Sequence, residues 1–326
     1  MKMRTMNESI ETAASIGIGG HVRPDGDCIG SCLALCYYLK KKYPDKKVDV
    51  YLEYVQDEFK FLPGSSDVKM EIEKSESAQL EFPKYDTFIV LDCGDLDRLG
   101  FSEPLFHNAN HTINIDHHIT NQGFCEISRI VPEASSTCEV LMELLDRDMF
   151  DKELASCLYL GIVHDTGVFK HSNTTKKTME LAAELLSYDV PFSKIIDETF
   201  YQKTYLQNQI LGRCLLESFM VLDGKCIVSY IKKGTMDFYG ASAKDLDGVI
   251  DQMRITMGVE VAILIHETGP QTYKVSMRSN HDIDVSQVAK AYGGGGHVKA
   301  AGCTMSGTIY DVINNITVHI EEQLKK

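Results

Sequence analysis

The stretch His21-Val22-Arg23-Pro24-Asp25-Gly26-Asp27-Cys28-Ile29-Gly30-Ser31 decides how the rest of this chain is read. A short apolar run, Ser15 to Gly20, precedes it and reads as a buried strand. Cys28 to Lys42 follows and reads as a helix. An imidazole and a pair of carboxylates, His21, Asp25 and Asp27, therefore crowd the turn between strand and helix. In an open α/β sheet, ligands bind in the crevice at the carboxyl ends of the strands. Carboxylates packed this closely repel unless a cation lies among them, and a divalent metal is the simplest such cation. Pro, Asp and Gly also build ordinary polar turns, so the stretch alone leaves both readings open.

Working outward, the same pattern recurs. Thr87 to Leu91 is a continuous apolar run that ends at Asp92. Thr112 to Ile115 is another, ending at Asp116-His117-His118. Val48 to Tyr54 alternates as a strand does. Continuous apolar runs suit strands buried on both faces of a parallel sheet. Several strands thus deliver acids or imidazoles at the same end, which points to one site at the sheet edge. Ser135 and Ser136 read as N-caps of a helix running to about Arg147. The next helix starts at Asp151 and stops near His164-Asp165-Thr166-Gly167. Thr174 to Tyr188 is amphipathic, with Asn173 as a cap before it.

The second half opens near Ser218, with a hairpin over Phe219 to Tyr230 turned at Asp223-Gly224. A helix from Leu246 to Met257, strands at Val259–His266 and Thr272–Met277, and a helix at Val285–Tyr292 follow. Gly293-Gly294-Gly295-Gly296-His297 reads as a glycine loop, Ala301 to Met305 as a strand and Ile309 to Leu324 as a closing helix. At 326 residues the chain fits two domains. The expected division is residues 1–190, a linker over 191–215 that takes in Pro191 and the polar Tyr201–Gln209 segment, and residues 216–326.

Hydrophobic content of 44% and charged content of 25% are ordinary for a globular protein. A net charge of −14 argues against long duplex DNA, which is bound by neutralising many phosphates. A short anion held by metal ions stays compatible with that charge. The 10 cysteines form no CxxC pair. Cys28, Cys32 and Cys36 read as the core face of the first helix, and free thiols at this density suggest a reducing, cytoplasmic compartment. No apolar h-region and no run of about 20 apolar residues is seen, so neither secretion nor a membrane is expected.

The sheet-edge candidates are His21, Asp25, Asp27, Asp92, His117 and Asp165. Their four carboxylates are balanced by two divalent ions. A carboxylate bridging such ions sets them about 3.5–4 Å apart, the spacing used for in-line displacement at phosphorus. Mixed imidazole and carboxylate donors favour Mn or a similar transition ion over Mg. No serine or cysteine nucleophile stands out. His111, His164 and His171 read as structural or peripheral, and Asp95 and Asp97 as helix-start or solvated acids.

HVRPDGDCIGS, LDCGD, DHH and HDTG, in this order and followed by GGGGH, resemble the DHH/DHHA1 phosphoesterase family. Within it, the pattern is most similar to the oligoribonuclease and pAp-phosphatase branch. The resemblance covers about residues 10 to 320. It implies a mostly parallel α/β DHH domain, a smaller α/β DHHA1 domain and an active site in the cleft between them. It implies that His21 and Asp25 hold one metal, that Asp27, His117 and Asp165 hold the other, and that Asp92 bridges them. His118 would face the substrate, with Asp116 behind the ligands. Arg278, the Gly294-Gly295-Gly296 backbone and His297 would hold the substrate, with Lys299 nearby.

The expected activity is a Mn-dependent phosphoesterase. Its substrates would be short single-stranded RNA, cleaved to mononucleotides, and the nucleoside bisphosphate 3′-phosphoadenosine 5′-phosphate (pAp). Rival readings are a phosphodiesterase for cyclic or linear signalling dinucleotides, and a non-catalytic nucleotide-binding regulator. A homodimer is compatible with this reading.

Overall fold

Helices and strands alternate through the first half because short apolar runs alternate with longer amphipathic stretches. The structure is a computed structural model that describes residues 5–72 and 82–325. It divides into two units, Met1–Gln202 and Lys203–Lys326.

In the first unit the order is α1 (Met6–Thr12), β1 (Ser15–Gly19), α2 (Gly26–Lys42), β2 (Lys47–Tyr51), β3 (Thr87–Leu91), α3 (Glu103–Asn108), β4 (His111–Asp116) and β5 (Ile127–Ile130). The helices α4 (Thr137–Leu144), α5 (Lys152–Asp165), α6 (Lys176–Leu186) and α7 (Phe192–Ile196) follow. The sheet order is β2-β1-β3-β4-β5, and every pairing is parallel. The chain leaves β1 for β2 on one side and returns to β3 on the other. That reversal makes β1/β3 the topological switch point, where the crevice of such a sheet opens.

Every residue of β3 is buried, so alternate side chains feed two cores. Ile89 and Leu91 pack with α2, α4 and α5 on one face. Phe88 and Val90 pack with Tyr51, Tyr85, Leu105 and Phe106 on the other. The start of α2 is capped by the Asp25 carboxylate, which accepts from the Asp27 and Cys28 amides. Lys40, Lys41 and Lys42 in its last turn match the negative end of the helix dipole.

The second unit runs α8 (Tyr205–Leu216), β6 (Phe219–Val221), β7 (Cys226–Ile231), α9 (Lys233–Tyr239), α10 (Val249–Arg254), β8 (Val261–Gly269) and β9 (Thr272–Ser279). It closes with α11 (Val285–Ala291), β10 (Gly295–His297), β11 (Ala300–Ser306) and α12 (Ile309–Leu324). The mixed sheet has order β10-β11-β9-β8-β7-β6, with β7 and β8 parallel and the remaining pairs antiparallel. Residues of α11 and α12 cover one face and residues of α8, α9 and α10 the other.

Several elements differ from expectation. The 191–215 stretch is no single linker: Ile195 is buried in the first core and Ile210 and Cys214 in the second. The glycine run is not wholly loop, because Gly295–His297 pairs with β11. A Cβ at Gly296 would lie 2.4 Å from the Ala300 carbonyl oxygen, and its φ is 142°, so only glycine lets β10 approach β11 there. Strand β5 went unread because its four residues, Ile-Ser-Arg-Ile, carry no continuous apolar run.

Ile89 is fully buried in the strand that carries Asp92. Ile89→Ala should cost roughly 2–5 kcal/mol of stability in urea denaturation. A loss below about 1 kcal/mol would show that β3 is not central to the first core.

A candidate metal centre at the ends of the parallel strands

Asp92 follows β3 directly and turns into the crevice. Its φ of 51° is left-handed, a conformation that Asp tolerates better than most residues. The side chain is buried, with each carboxylate oxygen facing a different imidazole. Oδ2 lies 3.4 Å from His21 Nε2, and Oδ1 lies 3.5 Å from His117 Nε2. The Thr137 hydroxyl also donates to Oδ1 at 3.1 Å.

The loop after β1 supplies His21, Asp25 and Asp27. His21 Nδ1 lies 2.9 Å from the Val22 carbonyl oxygen and 3.1 Å from Arg98 Nη2. Donation from Nδ1 to that carbonyl leaves Nε2 facing the carboxylates of Asp25 and Asp92. Asp25 Oδ2 stands 3.7 Å from His21 Nε2, while Oδ1 caps α2. Asp27 is fully buried. It accepts from the backbone amides of Thr137 at 2.6 Å and Cys138 at 3.0 Å, at the start of α4. Unpaired amides at a helix N-terminus are a natural seat for a carboxylate. Ser136 caps that helix, while Ser135 instead donates its hydroxyl to the buried Glu139 at 2.6 Å.

His117 follows β4 and sits 3.1 Å from Asp165 Oδ2 at the end of α5. His118 Nδ1 is 2.8 Å from Asp116 Oδ1, and the other Asp116 oxygen accepts from Asn121 at 2.6 Å. Asp116 thus orients His118, two residues along the chain. Asn173 does not cap α6, because Thr175 does. Its amide instead donates to the Ser135 and Asp165 carbonyls at 2.9 and 3.2 Å, tying Asp165 in place. Arg98 and Thr137 were missed as neighbours of the centre. Thr137 had a readable signal, since it follows a predicted N-cap.

Burial pushes the His164 imidazole down to about 4, and its Nε2 meets the Thr199 hydroxyl at 2.8 Å. Asp95 caps a short 3₁₀ turn by accepting from the Asp97 amide.

Among the described residues, three groups have ligand-capable atoms within 4.8 Å of one another: His21, Cys28 and Asp92; Asp92, His117 and His118; and Asp27, His117 and Asp165. Asp92 belongs to two of them. The electrostatics fit cations. Burial raises Asp27, and the charges of Asp92 and Asp165 raise it further. Burial, then Asp92 and Asp25, push Asp165 up to about 7 against the pull of His117. Burial would lower His117, but its bond to Asp92 and the charges of Asp27, Asp165 and Asp92 carry it up to about 10. Burial also opposes the charged form of Asp92, yet the bonds from His117 and His21 hold it well below the usual carboxylate range. Carboxylates this crowded retain protons or recruit imidazolium, which is the behaviour of a site built for cations.

In the second unit, Ala300 pairs with Arg278 on β9 and with His297 on β10, so all three share one register row. Directly opposed residues point to the same face. Alanine between Arg278 and His297 keeps that row open. Arg278 is partly exposed, with Nε 3.9 Å from Asp251 Oδ1.

Residues 15–162 match the family model described as "DHH family, N-terminal domain", and residues 223–326 match "DHHA1 domain". The chain is 29% identical over 314 residues to the bifunctional oligoribonuclease and PAP phosphatase NrnA of Thermus thermophilus. That match covers 95% of this chain and 90% of the relative. The Bacillus subtilis protein of the same name is 24% identical over 311 residues, covering 94% and 93%. A solved exopolyphosphatase-related protein from Bacteroides fragilis superposes with a TM-score of 0.85 at 27% identity, over 97% of this chain and 94% of that one.

Replacing Asp92 with Ala should reduce bound metal below two ions per chain. Elemental analysis of the purified variant checks this, and full occupancy would remove Asp92 from the centre. Chelation should also lower the melting temperature, because ions that bind only the folded state stabilise it. At about 100 times Kd that is about 2.7 kcal/mol, or roughly 5–10 °C. Adding Mn should restore the melt, and an unchanged melt after verified metal loss would mean the acids share no ion.

Proposed function

Because the chain belongs to the DHH/DHHA1 family, we propose that it is a metal-dependent phosphoesterase of short RNA oligonucleotides and of pAp. The observation that carries this reading is Asp92, with one oxygen turned to His21 and the other to His117. His21, Asp25 and Asp92 would hold one ion, and Asp92, Asp27, His117 and Asp165 the other. Manganese is the ion this donor set favours. When bound, the ions supply neutralisation of the scissile phosphate and a lowered pKa for water.

The remaining roles fall to the chain's own side chains. His118, held through Nδ1 by Asp116, offers its other ring nitrogen to the phosphate or to the leaving oxygen. Water adds across the P–O bond, and the leaving oxygen takes a proton. Arg278 suits bidentate phosphate recognition, with His297 and the Gly295–Gly296 backbone beside it, whereas the Gly294 amide already donates to the Ala289 carbonyl at 2.9 Å. His118→Ala should therefore retain its metal but lose most of the rate. Loss of metal from that variant would make His118 a ligand.

The net charge of −14 disfavours a long polyanion. Rates should peak at roughly two to five nucleotides, fall steeply toward about 24, and recover for long RNA as salt screens the repulsion. The test is a panel of labelled RNAs of these lengths with pAp and cyclic dinucleotides, in Mn. Equal rates on the longest and shortest RNA would overturn the length preference. Turnover of cyclic dinucleotides alone would replace the substrate, and no hydrolysis of any member would leave a nucleotide binder.

A further inference from the structure

Cys28, Cys32 and Cys36 all lie in the first core, as their helical spacing predicts. Cys28 differs from the other two in where its sulfur ends. It lies in the first turn of α2, directly after Asp27, and its Sγ is within 4.8 Å of ligand-capable atoms of both His21 and Asp92. All three residues are buried, with Cys28 at 0%, Asp92 at 2% and His21 at 4% exposure. Asp25, by contrast, has a side chain 56% exposed and spends one oxygen on the helix cap. The thiol is therefore the third buried donor around the space between His21 and Asp92.

The loop is shaped around this sulfur. A Cβ at Gly20 would lie 2.3 Å from Cys28 Sγ and 3.0 Å from Leu52 Cδ2. Gly20 is not among the glycines with positive φ, so a left-handed backbone does not call for glycine there. Room for the sulfur does.

We propose that Cys28 is a metal ligand, giving the ion held by His21 and Asp92 a sulfur donor and tuning that position toward softer ions. This inference rests on the reading of the crevice as a metal centre. Imidazole and thiolate together suit Fe(II), Co(II) and Zn(II), whereas carboxylate and water suit Mn and Mg. Ligation requires thiolate, so metal binding releases the Cys28 proton to solvent. The two metal positions are then unequal, one with a sulfur donor and one built from carboxylate and imidazole alone.

The experiment uses Co(II) as a spectroscopic probe in the full-length chain. Metal-free protein is titrated with Co(II) and followed by absorption, in the native chain and in Cys28→Ala, Cys28→Ser and Cys138→Ala. The native chain should show a near-ultraviolet thiolate-to-cobalt charge-transfer band beside the visible ligand-field bands. Cys28→Ala and Cys28→Ser should lose the charge-transfer band and keep ligand-field absorption, while Cys138→Ala keeps both. Both Cys28 variants should lose roughly tenfold or more in Co(II) affinity with little change for Mn(II), the lower end of what losing even an outer partner of a ligand costs. Ligand-field bands without a sulfur band in the native chain, or a sulfur band that survives in both Cys28 variants, would overturn the assignment while leaving the metal centre standing. No cobalt uptake by the native chain would overturn both. Cys28→Ser keeps the size of the side chain, so a folded Ser variant secures the test if the Ala variant fails to fold.

Discussion

Asp92 is a buried carboxylate with an imidazole against each of its oxygens, and the first unit is arranged to make that tolerable. Removing a carboxylate from water is costly unless it is paired and hydrogen-bonded. Like charges about 4 Å apart at an effective dielectric near 20 repel by about 4 kcal/mol. Asp27 and Asp165 add to that repulsion. Without metal, His21 and His117 become the cations that hold Asp92 ionised, and Asp165 moves toward keeping its proton. Crowded acids of this kind would oppose folding unless cations neutralise them. A centre of this kind links ion binding to stability as directly as to chemistry.

The scaffold answers with rigid supports. Asp27 is gripped by backbone amides at the start of α4 rather than by a flexible side chain. Asp165 closes α5, and Asn173 bonds its carbonyl. Asp116 has both oxygens occupied, one by His118 and one by Asn121. Positioning partners of this kind orient a ligand more firmly than its own rotamer preference does. They come from segments far apart in sequence, and that is why the centre needs the whole first unit.

The second unit uses a different device. Its glycines bring β10 close to β11, and the register sets Arg278 and His297 in one row with alanine between them. A short edge strand with small neighbours leaves an arginine and a histidine accessible on a sheet face. Cations presented on such a surface suit an anionic ligand without making the protein basic overall.

The sequence by itself determined the parallel α/β character of the first half. Apolar runs buried on both faces permit little else, and their ends coincide with Asp92 and with Asp116-His117-His118. It also determined the donor types, because acids and imidazoles clustered after strands are legible without coordinates. Tertiary structure decided the partners. That Asn173 holds Asp165 rather than capping α6, that Thr137 and Arg98 reach the centre, and that 191–215 divides between two cores all depend on contacts between distant segments. Periodicity reports which face of an element is buried but not what it is buried against. Cys28 shows the limit most clearly: helical spacing places it on the core face, and only the fold reveals that the core ends there, beside His21 and Asp92.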